Sequence, residues 1–559
     1  MSVGPAGRSG RRARALAAGL GLLALAACTA PPAPKERSRA GKDERPPLVV
    51  LVVVDQMRAD YLDRFGPAFR GGFARLLAEG AVFTEAAHAH GVTHTAAGHA
   101  SIVTGRFPAH TGIVANTWYD RTGHREAYSA TDDEDVACPA RLIGDALGDW
   151  MKRADERSRV VTASAKDRTA VLLGGRRPDA AYWFDGAKGR FRTSPYYARR
   201  MPSWFAAFET RAGARTYFAR AWEPLPLPAG VDRASLGVVR VDTGAFPSGF
   251  PHLLGGLQPS PSKGFFTEVG ESPWIDEMLA GLADELVEHH ELGADAVPDL
   301  LGLSFSALDF VGHDYGPQSA EALDVLVRVD RLLGKLFERL DARLGRGRYL
   351  VALTADHGVA PLPEASGGVD RRVGVAEALC FQRVEGELTK RHGGQGWFEW
   401  GLYLDSGTVA KAGLRRPAVA AEAAELLAAC PGVERVLTAS EVADPAALTP
   451  AGAAADPVRA AYARSFRAER SPDLFVHWQE HVVASLGTGT THHGAWPFER
   501  RVPLIFAGSG VAAGRHDEAV WTVDVAPTLA TLIGVPVPSG LDGIDRAASL
   551  ASRPGVSAR

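Results

Sequence analysis

A chain of 559 residues, 46% hydrophobic and 23% charged, has room for one large α/β domain with insertions, or for two to three ordinary domains, and is neither disordered nor fibrous. Its 62 basic and 65 acidic residues are spread along the whole length and leave a formal charge of -3, so no basic face for a nucleic-acid partner is expected.

The chain opens with Arg8, Arg11, Arg12 and Arg14, then a short apolar run, Ala15 to Ala27, and Leu25-Ala26-Ala27-Cys28 resembles a bacterial lipobox. This predicts a signal peptide over 1–27, cleavage before Cys28 and acylation of that cysteine. The Pro- and charge-rich stretch 28–47 reads as a tether, so the protein is expected to be exported and held on a membrane by lipid. Cys138, Cys380 and Cys430 follow at spacings that match no zinc pattern. An odd number leaves at least one thiol unpaired, and one disulfide is the most they can form.

From Leu48 onward, short apolar runs alternate with helical patterns, as in a largely parallel sheet covered by helices on both faces. The predicted strands are Leu48 to Val54, Arg159 to Ala163, Leu300 to Ser306, Tyr349 to Thr354 and Val502 to Ala507. The irregular stretches 186–272 and 361–482 read as insertions or a cap on a domain spanning 48–547, with 548–559 as a tail. The acidic stretch Pro273 to His290 is expected to be a solvated helix, and the Ala-rich Arg416 to Ala429 a packing helix.

Four of the strands lead into polar residues: Asp55; Lys166-Asp167-Arg168; Asp309 and His313; Asp356-His357. Ligands of open α/β sheets bind beyond the carboxyl ends of strands, so one site is implied. Asp55, Asp309, His313, Asp356, His357 and His493 are carboxylates and imidazoles, a mixture suited to zinc. Asp309 and His313, four apart, can face one ion from one helical turn. Adjacent Asp356 and His357 suit either two neighbouring ions or one ion with a sharply turned backbone. Two ions about 4 Å apart are the usual arrangement for displacement at phosphorus. In Gly91-Val-Thr-His-Thr-Ala-Ala-Gly-His-Ala-Ser101, small residues after Thr95 allow a helix to begin there, with free N–H groups facing an incoming anion. A threonine in that place is more commonly only a helix cap.

Taken together, Val53-Val-Asp55-Gln-Met-Arg58, Thr95-Ala-Ala-Gly-His99, Gly112-Ile-Val-Ala-Asn116, Lys166-Asp-Arg168, Leu308-Asp309-Phe-Val-Gly-His313, Thr354-Ala-Asp356-His357-Gly358 and His493-Gly494 resemble, in this order, the alkaline phosphatase superfamily. They are most similar to its phosphate-irrepressible, threonine-nucleophile alkaline phosphatases, from about Leu48 to Ala547. The resemblance implies an alkaline-phosphatase-like fold and two Zn2+ per chain. One ion would be held by Asp309, His313 and His493, the other by Asp55, Asp356 and His357 with Thr95. It also implies that Thr95 is the nucleophile and that Asn116, Lys166 and Arg168 bind the non-bridging oxygens of a small phosphate ester. His492 precedes His493 and offers a second imidazole; His493 is preferred because the family's ligand precedes glycine. Ala97 departs from the proline expected there, and Asn116 is the only Asn in the chain.

The implied reaction is phosphate monoester hydrolysis through a phosphothreonine. A phosphodiesterase or nucleotide pyrophosphatase shares the ligands and the threonine, but lacks the paired Lys and Arg. A sulfatase requires Cys-x-Pro-x-Arg, which Cys138-Pro-Ala-Arg141 does not supply. A non-catalytic surface lipoprotein would be expected to have lost at least one of these residues.

Overall fold

The run Leu48–Val54 (β1), LVVLVVV, is buried at every position. Valines favour the extended backbone, and apolar residues on both faces suit only a strand covered on both sides. β1 holds that position in the computed structural model, which describes residues 45–240, 249–256, 258–366, 371–485 and 489–551. Cys28, the signal peptide and most of the tether lie outside the described residues, as does the tail from 552 onward.

β1 is the middle strand of a nine-stranded sheet. The other strands are β2 (Ala81–Ala87), β3 (Val160–Ser164), β4 (Ala180–Asp185), β5 (Arg190–Arg192), β6 (Asp299–Phe305), β7 (Leu350–Thr354), β8 (Leu504–Gly508) and β9 (Gly514–Trp521). Across the sheet they run β9-β2-β8-β7-β1-β6-β3-β4-β5. From β7 to β4 every pairing is parallel. β8 is antiparallel to both β7 and β2, and β5 is antiparallel to β4. The expected largely parallel sheet is present, with the run Val502 to Ala507 as its inserted antiparallel member.

Alternation along β1 divides the core into two layers. Leu48, Val50, Val52 and Val54 join one cluster, and Val49, Leu51 and Val53 the other. On the second face lie Ile102 and Val103 of α1 (Thr95–Thr104). Beyond β3 comes α2 (Asp167–Gly174). The first face is covered by α3 (Pro273–His289) and, after the short α4 (Ala307–Tyr315), by α5 (Ala320–Leu344). α3 corrects an expectation: Ile275, Met278, Leu279, Leu282 and Leu286 are fully buried. Its acidic residues mask an apolar stripe at helical spacing, and that stripe packs on the sheet instead of being solvated.

The stretch 186–272 contributes Phe205, Phe208, Tyr217 and Trp222 to the first layer. The stretch 361–482 has a core of its own, built by α6 (Gly374–His392), α7 (Arg416–Ala428), Trp397 and Leu404. α7 is the expected packing helix. A disulfide joins Cys380 on α6 to Cys430 beyond α7, and Cys138 is a free, buried thiol.

Candidate active site

β7, β1, β6 and β3 are consecutive neighbours, and each ends in a residue singled out from sequence. The register pairs Val53 with Thr354, Val54 with Phe305 and Ser304 with Ser164, so the four strands end at one level, about 4.8 Å apart. Asp55, Asp356 and His357 follow β1 and β7 directly, Lys166 follows β3, and Asp309 stands on the first turn of α4 after β6. Sequence positions more than 300 apart thereby share one pocket floor.

Three imidazoles point into this floor in the same sense. His313 Nδ1 donates to the Thr490 carbonyl at 2.7 Å, His492 Nδ1 to Thr93 at 2.6 Å, and His357 Nδ1 to Gly358 at 3.0 Å. Because a carbonyl oxygen only accepts, each Nδ1 carries a proton, and in the neutral imidazole each Nε2 keeps its lone pair for the pocket. His313 Nε2 is 3.2 Å and His492 Nε2 3.6 Å from Asp309 Oδ1. His357 Nε2 is 3.5 Å from Asp55 Oδ1 and 3.4 Å from Asp356 Oδ2. The backbone after β7 thus turns sharply enough to bring Asp356 and His357 together. Asp309–His313–His492 and Asp55–Asp309–His357 each bring three ligand atoms within 4.8 Å of one another.

The electrostatics call for cations. Asp55, Asp309 and Asp356 are all but excluded from solvent, and Asp55 Oδ1 and Asp356 Oδ2 accept no hydrogen bond among the described residues. Burial, with the charges of Asp309 and Asp356, holds the Asp55 carboxyl well above the usual carboxylate range. The Lys166 ammonium sits between two of the three carboxylates, 2.6 Å from Asp55 Oδ2 and 2.5 Å from Asp309 Oδ2. Burial disfavours its charge, but Asp309 and Asp55 together raise its pKa. One ammonium leaves a surplus of buried negative charge, which divalent cations would neutralise. Orphaned carboxylate oxygens and converging Nε2 lone pairs therefore fit the expected metals. Burial also pushes the His357 and His492 imidazoles down, towards the neutral form that binds metal.

Thr95 is the first residue of α1, a helix buried along its whole length, and its Oγ1 lies 3.4 Å from His357 Nε2. His94, in extended conformation, occupies the cap position, so the Thr95 hydroxyl is not used as a cap. Asn116 Oδ1 accepts from the Ala96 N–H at 2.9 Å, which turns the amide NH2 away from the helix. Arg168 starts α2 beside this end of α1, and its Nε has no partner among the described residues. Burial opposes its charge, while Tyr128 and the nearby Asp55 and Asp167 raise its pKa. α1 is seated very closely: a Cβ on Gly98 would lie 2.2 Å from the Asp356 carbonyl oxygen.

The structure does not bring His493 into the floor, where it was expected as a ligand, and places His492 there instead. His493 is exposed, with Nδ1 2.9 Å from His94 Nε2 and Nε2 2.9 Å from the Thr491 hydroxyl, while the buried His492 faces Asp309. The cause is Glu499, whose carboxylate accepts from the N–H groups of His493, Gly494 and Trp496 and fixes a turn that aims His493 outward. Two contributors were not singled out from sequence. Gln56, at a left-handed φ of 68°, donates from its backbone to Asp356 Oδ1 at 3.1 Å and from Nε2 to Asp309 Oδ1 at 2.8 Å. His99 donates from Nδ1 to the Thr95 carbonyl at 2.8 Å and lies 3.2 Å from Asp356 Oδ2. Their position directly after Asp55, and one turn after Thr95, was the available signal.

The model of the type I phosphodiesterase / nucleotide pyrophosphatase family matches residues 49–496. The chain belongs to that family. It is 32% identical over 540 residues to alkaline phosphatase PhoK of a Sphingomonas species, covering 89% of this chain and 90% of PhoK. It is 28% identical over 528 residues to alkaline phosphatase PafA of Elizabethkingia meningoseptica, covering 89% of this chain and 93% of PafA. The crystal structure of PafA superposes with a TM-score of 0.78 at 27% identity, over 91% of this chain and 99% of that one. A solved PafA variant is substituted at a threonine, an asparagine, a lysine and an arginine, in that chain order. The first two are separated as Thr95 and Asn116 are here, and the last two as Lys166 and Arg168 are. Within the type I phosphodiesterase family, this chain is an alkaline-phosphatase-like phosphoesterase.

Proposed function

We propose that the chain hydrolyses phosphate monoesters to alcohol and inorganic phosphate through a phosphothreonine at Thr95, with two zinc ions as cofactors. The observation that carries the reading is the convergence of Thr95, three Nε2 lone pairs and three buried carboxylates on one floor, with only one ammonium among them. Asp309, His313 and His492 would hold one ion, and Asp55, Asp356 and His357 the other. Zinc, when bound, supplies Lewis acidity that lowers the pKa of a hydroxyl and offsets negative charge.

The rest of the chemistry belongs to the chain. Thr95 Oγ1 gives its proton to solvent and forms a bond to phosphorus as the bond to the departing alcohol oxygen breaks. That oxygen takes a proton from water, and a second water then splits the phosphothreonine and restores the hydroxyl. The start of α1 directs its dipole at the phosphoryl group. Asn116 is oriented by Ala96 to donate from its amide, and Lys166 and Arg168 bring positive charge to the non-bridging oxygens. The matching chain order and separation of the four positions substituted in the PafA variant support these roles.

Preference for monoesters follows from Lys166 and Arg168. A dianionic phosphoryl group satisfies both, whereas the second substituent of a diester would leave buried polar groups unpaired, at about 1 to 3 kcal/mol each. Catalytic efficiency on a matched aryl monoester and diester, for wild type and the Lys166→Ala/Arg168→Ala variant, tests this. The variant should lose far more monoester than diester activity. An unchanged ratio would favour a phosphodiesterase. We further propose that Cys28 is acylated and anchors an exported enzyme, to which the Cys380–Cys430 disulfide is suited, since such bonds persist in oxidising compartments.

A further inference from the structure

Beside the phosphoryl site lies a cavity of about 410 Å3, within the range of small-molecule pockets. Its inner wall includes His94, Ala115, Thr117 and His493. These are the chain neighbours of Thr95, Asn116 and His492, so three elements of the site each supply an adjoining residue. The His94 and His493 rings, both lining the cavity, stand 4.6 Å apart. The outer wall comes from the 361–482 stretch and includes Phe381 of α6, Trp400 and Tyr403.

This wall is mostly apolar in what it offers a ligand, because its hydroxyl groups at Tyr403, Ser465 and Ser471 are bonded into the protein. Tyr403 Oη donates to the Arg470 carbonyl at 2.7 Å. Ser465 Oγ accepts from the N–H groups of Gly91 and Val92, both at 3.0 Å, and Ser471 Oγ accepts from Arg467 at 2.9 Å. The described lining residues include no Lys or Arg, and their one carboxylate is Glu377. Such a wall has no ammonium or guanidinium to pair with a second anionic group. An apolar cavity of about 150 Å3 already accepts benzene, so the volume here suits a ring on a short linker.

We propose that this cavity receives the leaving group, and that the preferred substrates are phosphate esters of uncharged, ring-bearing alcohols rather than of small polar ones. The assignment rests on the monoesterase reading above. The phosphate–oxygen bond breaks as there, and the alcohol departs from the cavity with a proton from water.

The test uses the holoenzyme with 2-phenylethyl phosphate and ethyl phosphate, whose alcohols are similarly poor leaving groups, so that reactivity does not mask binding. Wild type should show kcat/KM at least about tenfold higher on the phenylethyl ester, the effect of burying a phenyl ring. Trp400→Ala and Phe381→Ala should each remove most of that advantage, leaving ethyl phosphate turnover and inhibition by inorganic phosphate unchanged. Phe381 is half-buried on α6, so its variant remains informative if loss of Trp400 disturbs folding. A wild-type ratio near one, or equal losses on both esters, overturns the leaving-group assignment and leaves the monoesterase reading standing. Hydrolysis of a matched diester but of neither monoester overturns the monoesterase reading, and this assignment with it.

Discussion

His492→Ala and His493→Ala, made side by side, should have opposite consequences for bound metal. His492 is buried, anchored through Nδ1 to Thr93, with Nε2 3.6 Å from Asp309 Oδ1. Its removal takes one of three ligands from the group it forms with Asp309 and His313. Structural zinc sites of about four ligands contribute on the order of 10–16 kcal/mol, or ~3 kcal/mol for each ligand. At about 1.4 kcal/mol per factor of ten, affinity should fall roughly a hundredfold. The His493 side chain is exposed and, among the described residues, bonded only to His94 and Thr491, so its loss costs about 1 kcal/mol of stability and no ligand. Zinc per chain is read by inductively coupled plasma mass spectrometry after dialysis against buffered zinc, and activity is titrated back with added metal. His492→Ala should hold about one ion and recover activity at raised zinc, and His493→Ala should hold about two. Loss of zinc from His493→Ala with retention in His492→Ala would refute the reasoning.

Thr95→Ala should abolish turnover and the covalent phosphoenzyme while zinc content stays near wild type; a phosphorylated protein in that variant would mean another nucleophile. Burial pushes the Asp276 carboxyl up to about 7 despite N–H bonds from Ser306 and Ala307. Since the folded value lies above the unfolded one, its stabilising contribution is complete below pH 3.8 and is lost as pH rises to about 7, at up to ~1.4 kcal/mol per unit. Asp276→Asn should therefore melt higher than wild type at pH 8 and lose that advantage towards pH 4, and a pH-independent difference between the two would contradict it. Expressed with its own leader, the protein should partition into detergent, and Cys28→Ser should abolish this; a mature N-terminus without acyl groups would dispose of the anchor.

Much of the site was legible because strand ends and chemistry coincide. β1 is an unbroken apolar run and β6 and β7 are mostly apolar, and Asp55, Asp309 and Asp356 follow their ends within four residues. β9 was not legible: it is an edge strand, and Gly514–Trp521 is mostly exposed and polar, so no apolar run marks it. α3 was not legible because its five acidic residues, of which Asp276 is buried, mask a stripe that only the sheet explains. The choice between His492 and His493 could not be made from two adjacent imidazoles. It depends on a turn held by Glu499, six residues beyond His493. Gln56 was hidden for a related reason, since its left-handed φ, which aims it at Asp309 and Asp356, has no sequence signature in a residue that is not glycine.

The close seat of Gly98 against Asp356 bears on how this protein fails when heated. With no side chain between them, the backbone that presents Thr95 packs directly on the loop that ends β7, a strand next to the middle of the sheet. Distortion of the nucleophile therefore requires disrupting the most deeply buried part of the molecule. The 361–482 stretch has a separate core and its own disulfide, apart from this contact. On warming, selectivity among alcohols should loosen before the capacity to cleave phosphate esters is lost, so that the two properties have different thermal limits within one polypeptide.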